Sequence, residues 1–129
     1  MKVLLDTHAF LWWVSDGGSR LSDRARELIA SPNTEPLFSV ASAFEIATKA
    51  ALGRLTLPFA PERYVPERVR RHGFTILPIE LPHALRAGGL PMIHRDPWDR
   101  ILVAQAQVER LAILSADPAI GRYDVETIW

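Results

Sequence analysis

Five short apolar runs, separated by helical stretches, constrain this chain more than any other feature. Val3-Leu4-Leu5, Leu37-Phe38-Ser39, Thr75-Ile76-Leu77, Ala112-Ile113-Leu114-Ser115 and Val125 to Ile128 each have the length of a strand rather than a helix. Strands alternating with helices predict an α/β layered fold with a parallel sheet. Parallel neighbours cannot be joined by a tight hairpin, so each needs a crossover. A length of 129 residues predicts a single domain over residues 1–129 with one hydrophobic core. The order of strands in the sheet is not encoded in this pattern.

The intervening helices carry local start and stop signals. Thr7 is a candidate cap for a helix through Ala9–Val14, which Asp16-Gly17-Gly18 breaks. Ser22 is an N-cap for a helix to about Ala30, closed by Ser31-Pro32-Asn33. A helix from about Ala41 to Leu52 ends at Gly53. Pro61 and Gly73 bracket an arginine-rich helix. Pro82 to Arg86 forms a short helix that Gly88-Gly89 ends. Pro97 opens a long helix to about Arg110.

Composition narrows the function classes. At 48% hydrophobic and 23% charged, the chain has ordinary globular proportions. It contains no cysteine, which excludes disulfides and thiolate metal sites and suits a reducing cytoplasm. The apolar run after Met1-Lys2 is too short for a signal peptide, and Ala9–Val14 is too short to cross a bilayer, so no membrane partner is expected. Formal net charge is zero, so no global field draws in nucleic acid. Charge neutralised locally by bound metal ions is compatible with that balance.

Acidic residues fall at telling places. Asp6 follows the first strand directly, and Asp117 follows the fourth by two residues. In open parallel sheets, ligands bind outside the carboxyl ends of the strands. Glu45 lies in the first turns of the helix leaving the second strand, and Asp99 at the start of the helix returning to the fourth. Two unit charges about 4 Å apart repel by roughly 4 kcal/mol at an effective dielectric of 20. Four acids without obvious basic partners therefore require protonation or a divalent cation. Oxygen ligation suits Mg²⁺ or Mn²⁺.

Each acid also has a structural reading. Asp6 and Asp117-Pro118 fit helix caps. Ser42-Ala43-Phe44-Glu45 fits a capping box, and Glu45 forms an i,i+4 pair with Lys49. Asp96, before Pro97, is expected to be an N-cap that positions the neighbouring ligand Asp99, whose own carboxylate is free.

Four blocks together carry a family resemblance: Leu4-Leu5-Asp6-Thr7-His8, Ser42 to Lys49, His94-Arg95-Asp96-Pro97-Trp98-Asp99-Arg100, and Leu114-Ser115-Ala116-Asp117-Pro118. Over essentially its whole length the chain resembles PIN-domain proteins, and more narrowly the VapC-type toxins of bacterial toxin–antitoxin pairs. The resemblance implies a three-layer sandwich with a central parallel five-stranded sheet flanked by helices. It implies Mg²⁺- or Mn²⁺-dependent endonucleolytic cleavage of RNA in the cytoplasm, by Asp6, Glu45, Asp99 and Asp117. Metal ligation falls to Asp6, Asp99 and Asp117. Ser115 stands where the family usually has the threonine that orients the first acid, and it keeps the hydroxyl. Gly88-Gly89 is less typical of the family. Partners implied are RNA, a VapB-type antitoxin and a second copy of the chain in a homodimer.

The chemistry expected is metal-assisted phosphodiester hydrolysis, with Glu45 binding a second ion or accepting the water's proton. Lys49, Arg95 and Arg100 are candidates for RNA phosphates, or for solvated surface charge and ion pairs. Trp12-Trp13 suits either an interface or the core. The histidines, His8, His72, His83 and His94, have no tight metal spacing and are expected to be dispensable for the chemical step. An aspartyl-nucleophile phosphatase would want an acid two residues after Asp6, where His8 stands. Neither the P-loop nor the dinucleotide glycine pattern occurs. The remaining alternative is a catalytically silent PIN-like module that binds RNA or protein.

Overall fold

Strand β1 (Lys2–Leu5) divides its side chains between two cores. Val3 and Leu5 enter one and Leu4 the other, as the two-residue period of a strand requires. All three are fully buried because both faces of the sheet are covered, which explains an unbroken apolar run. The computed structural model describes residues 1–129.

Strands β2 (Glu35–Ser39), β3 (Thr75–Leu77), β4 (Ala112–Leu114) and β5 (Thr127–Ile128) complete a parallel sheet in the order β3-β2-β1-β4-β5. In register, Leu4 lies opposite Leu37 and Ile113, and Leu5 opposite Leu114. Helices α1 (Thr7–Asp16), α2 (Asp23–Ala30) and α4 (Pro61–Arg71) send Phe10, Ile29, Tyr64 and Val69 into the core beside Val3 and Leu5. Helices α5 (Leu81–Gly89) and α6 (Pro97–Glu109) send Ala87, Leu102 and Val103 into the core beside Leu4. Helix α3 (Val40–Ala51) serves both, through Ile46 and Ala41. The arrangement is the expected three-layer sandwich, with two cores in place of the single one expected from length. No helix is long and apolar enough to cross a membrane.

Several local expectations are corrected. Asp6, not Thr7, caps α1. Ser39, not Ser42, caps α3: its Oγ accepts the Ala41 N–H at 3.0 Å, so the Ser42–Glu45 capping box does not form. Helix α5 ends on Gly88-Gly89 as expected, with the two glycines as its last residues. The fifth strand is only Thr127–Ile128. Trp12 and Trp13 are partly buried against the first core, and Trp12 meets the Trp129 ring edge-on at 6.0 Å.

This topology positions a site. Strands β2 and β3 extend to one side of β1, and β4 and β5 to the other. Chain order therefore reverses between β1 and β4, the kind of switch point where open sheets form a crevice. Asp6 leaves β1 there, and Ser115 leaves β4.

The glycine pair after α1 offers a test of packing. Both residues have positive φ, +72° at Gly17 and +82° at Gly18. A Cβ on Gly17 meets nothing within 4 Å, whereas one on Gly18 falls 2.9 Å from Leu21 Cδ1 and Trp13 Cε3. Gly17→Ala is expected to cost the ~1–2 kcal/mol of left-handed strain. Gly18→Ala adds overpacking of about 1–3 kcal/mol. Urea unfolding of the two variants should separate them, and equal losses would contradict this packing.

Candidate active site

Asp6 combines its two sequence readings. As N-cap of α1 its Oδ1 accepts the Ala9 N–H at 2.8 Å, and its backbone N–H extends the ladder to the Leu114 carbonyl at 3.1 Å. The carboxylate is only 6% exposed. Burial pushes its pKa up, against the opposing pull of the Ser115 hydroxyl and the Ala9 N–H. Ser115 also accepts the Asp117 N–H at 3.0 Å, linking the first and last acids.

Glu45 is buried in α3. Thr7 Oγ1 lies 2.6 Å from Glu45 Oε1 and 2.9 Å from Ser42 Oγ. With one hydrogen to give, Thr7 donates to the carboxylate and accepts from Ser42. Glu45 Oε2 pairs with Lys49, one turn along the same helix. The residues thought to cap a helix instead fasten the start of α1 to α3.

Asp96 and Asp99 divide as the local helix signals indicate. Asp96 Oδ1 caps α6, accepting the N–H groups of Trp98 at 2.9 Å and Asp99 at 3.1 Å. Asp99 keeps its carboxylate outside that cap. Its pKa is pushed up to about 8, first by burial and then by the negative charges of Asp96, Glu45, Asp6 and Asp117. Asp117 Oδ1 accepts the Ala119 N–H at 2.8 Å. It caps a turn rather than an α-helix, since only a 3₁₀ turn at Ile120–Arg122 follows.

Asp6, Glu45, Asp99 and Asp117, with Asp96, line one cavity of about 220 Å³ that contains no hydrophobic residue. Two larger grooves beside α5, of about 680 and 670 Å³, contain none of these acids. The expectation of acids without basic partners is corrected, because His8, Lys49 and His94 line the same cavity. His94 Nε2 stands 3.0 Å from Asp99 Oδ2 and 3.6 Å from Asp117 Oδ2. One ligand atom from each of these three residues falls within 4.8 Å of the others, a grouping that includes neither Asp6 nor Glu45. Sequence spacing gave no sign of His94. Its only local signal is its place two residues before the Asp96 cap.

The other basic candidates lie apart. Arg100 is 9% exposed, with its guanidinium turned inward onto backbone carbonyls, so it is not a surface contact for RNA. Arg95 is exposed beside a groove between α5 and α6. Trp98 packs against Phe44, ring edge to face at 5.8 Å.

The donor set fits a hard divalent cation. The cavity offers carboxylate oxygens in excess of cations, and the crowding that holds a proton on Asp99 is the repulsion such an ion relieves.

The PIN domain family model matches residues 3–126. Ribonuclease VapC16 of Mycobacterium tuberculosis is 37% identical over 71 residues, an alignment spanning 54% of this chain and 50% of that protein. The chain thus matches about half the length of this curated relative. Among solved structures, VapBC2 from Rickettsia felis bound to a promoter DNA fragment superposes with a TM-score of 0.69 at 11% identity, covering 99% of this chain and 98% of that one. DNA-bound VapBC from Salmonella typhimurium gives 0.68 at 17% identity, over 99% and 97%. At such identities the likeness is one of fold.

The elevated pKa of Asp99 makes stability depend on pH. In metal-free protein the folded state keeps a proton that the unfolded chain releases above the ordinary value of 3.8. The group's contribution is therefore fully present below that value and is lost as pH rises toward about 8. Asp99→Asn is expected to melt higher than the metal-free wild type by at least ~3 °C at the upper end, with little gain at acid pH. A melting difference that does not grow with pH would contradict the crowding.

Proposed function

Because the chain belongs to the PIN domain family, we propose that it is a divalent-metal-dependent endoribonuclease acting as the toxin of a toxin–antitoxin pair. The single observation that carries this reading is the meeting of Asp6, Glu45, Asp99 and Asp117 in one wholly polar cavity at the β1/β4 switch point. The curated ribonuclease relative supports the same activity.

In this reading Asp6, Asp99 and Asp117 hold Mg²⁺ or Mn²⁺. When bound, the ion lowers the pKa of water and stabilises charge on the phosphate oxygens. Ser115 orients Asp6, and Asp96 fixes the first turn of α6 and so the position of Asp99. Glu45, fixed by Thr7 and Lys49, accepts a proton from the attacking water. Lys49, partly exposed in the cavity wall, places a positive charge where an RNA phosphate enters. Residues 1–129 act as a single domain in the cytoplasm. The partners are a VapB-type antitoxin and a second copy of the chain. Leu81, Leu85 and Met92, each more than two-thirds exposed, support burial of this surface in an assembly.

RNA cleavage should stop on adding EDTA and return with Mn²⁺ or Mg²⁺. Asp6→Asn should lower the rate at least ~100-fold, because loss of a mere supporting group already costs about 10–100-fold. Undiminished cleavage by rigorously metal-free protein would overturn the reading. Expression without an antitoxin should arrest growth, and Asp6→Asn should relieve the arrest. Harmless expression of soluble wild type would point to a PIN-domain protein with another role.

A further inference from the structure

His94 is a cavity residue that contacts two of the proposed ligands without being one of the carboxylates. The Asp96 N–H approaches His94 Nδ1 at 3.4 Å, so Nδ1 is placed as an acceptor. The ring hydrogen then lies on Nε2, which faces Asp99 Oδ2 at 3.0 Å and Asp117 Oδ2 at 3.6 Å. The imidazole is thus a hydrogen-bond donor to Asp99, and it does not offer a lone pair at that atom.

The loop carrying His94 is anchored from the opposite side. Tyr123, itself buried, accepts the His94 backbone N–H at 2.8 Å. Arg100 lies in the first turn of α6, where side chains lean back toward the helix N-terminus. One guanidinium nitrogen donates to the Pro91 carbonyl at 2.9 Å and approaches the His94 carbonyl and Tyr123 hydroxyl at 3.4 Å. The other donates to Ala87 at 2.9 Å and Leu90 at 3.1 Å, at the end of α5. Arg100 pairs with no carboxylate. Its planar fork instead ties the end of α5, the following loop and α6 together, a geometry lysine cannot reproduce.

We propose that His94 is a positioning residue for the cation site, its Nε2–H fixing Asp99 Oδ2, and that Arg100 and Tyr123 hold His94 in place to do so. The proposal rests on the reading of the cavity as a metal site. It leaves the chemical step to the carboxylates and gives one histidine a supporting role. Groups that hydrogen-bond a ligating carboxylate fix its orientation, and losing one typically weakens metal binding by about 10–100-fold. Glutamine retains an N–H donor at comparable reach, whereas alanine retains none.

Titration calorimetry with Mn²⁺ on the full chain tests this apart from activity. His94→Ala should weaken Mn²⁺ binding about 10–100-fold, and Arg100→Lys, at a residue that does not line the cavity, by roughly 3–10-fold. His94→Gln should return to within about 3-fold of wild type if the donated hydrogen bond is what matters. Wild-type affinity or tighter in folded His94→Ala overturns the positioning role. His94→Gln as weak as His94→Ala overturns it too, because the imidazole lone pair would then be the active feature. Unchanged affinity in folded Arg100→Lys overturns the anchoring by Arg100. A wild type that binds no Mn²⁺ overturns both this proposal and the metal-nuclease reading, whereas tight wild-type binding insensitive to His94 overturns this one alone.

Discussion

Mutual repulsion among Asp6, Glu45, Asp99 and Asp117 must be overcome wherever this fold forms, because its topology delivers all four to one cavity. Parallel register sends every strand's carboxyl end the same way, and β1 and β4 are neighbours. Asp6 and Asp117 therefore emerge side by side whatever their charges. Helices α3 and α6 begin at the same edge and bring Glu45 and Asp99. Two cores of fully buried aliphatic side chains supply the free energy that holds this arrangement against its own electrostatics.

Much of the protection against that repulsion is local and polar. Caps occupy one oxygen each of Asp6, Asp96 and Asp117 with backbone N–H groups. Glu45 is satisfied by Thr7 and Lys49. A second relay ties the layers near the same edge: Ser39 donates to Gln105 Oε1 at 2.5 Å, and Gln105 donates to the Pro78 carbonyl at 3.1 Å. Both Ser39 and Gln105 are fully buried, and satisfied buried polar groups of this kind fix one geometry more sharply than apolar packing does. Asp99 has none of these backbone caps, and burial and its acidic neighbours push its pKa up to about 8.

What could be read from the sequence follows from what is local. Asp96-Pro97 declares a cap and a helix start within two residues, so Asp96 and Asp99 could be told apart before any geometry was known. Glu45 and Lys49 meet because helix periodicity puts i and i+4 together. Asp6 and Thr7 are both good caps in adjacent positions. Choosing between them depends on Glu45, thirty-eight residues from Thr7 along the chain, which claims the threonine hydroxyl. Ser42 reads as the cap of α3, but its hydroxyl meets Thr7, and Ser39, held by Gln105 across the fold, caps the helix instead. Arg100 reads as a surface cation because its partners are backbone carbonyls, which leave no trace in residue identity. His94 acquires meaning only when the loop after α5 folds against Tyr123. Strand order and the two-core division likewise depend on pairings between distant segments.

In the proposed mechanism a divalent cation relieves the carboxylate crowding of the metal-free site and displaces the proton held by Asp99. Titration calorimetry of Mn²⁺ near pH 7, repeated in buffers of different ionisation enthalpy, counts protons released on binding. With the Asp99 pKa at about 8 and that of Asp6 also raised by burial, binding should release about one proton or more, falling toward zero well above that pH. Asp99→Asn should remove close to one proton from the release. Tight Mn²⁺ binding with no proton release at neutral pH would contradict the account, since the acids would then already be ionised and the repulsion relieved by other means.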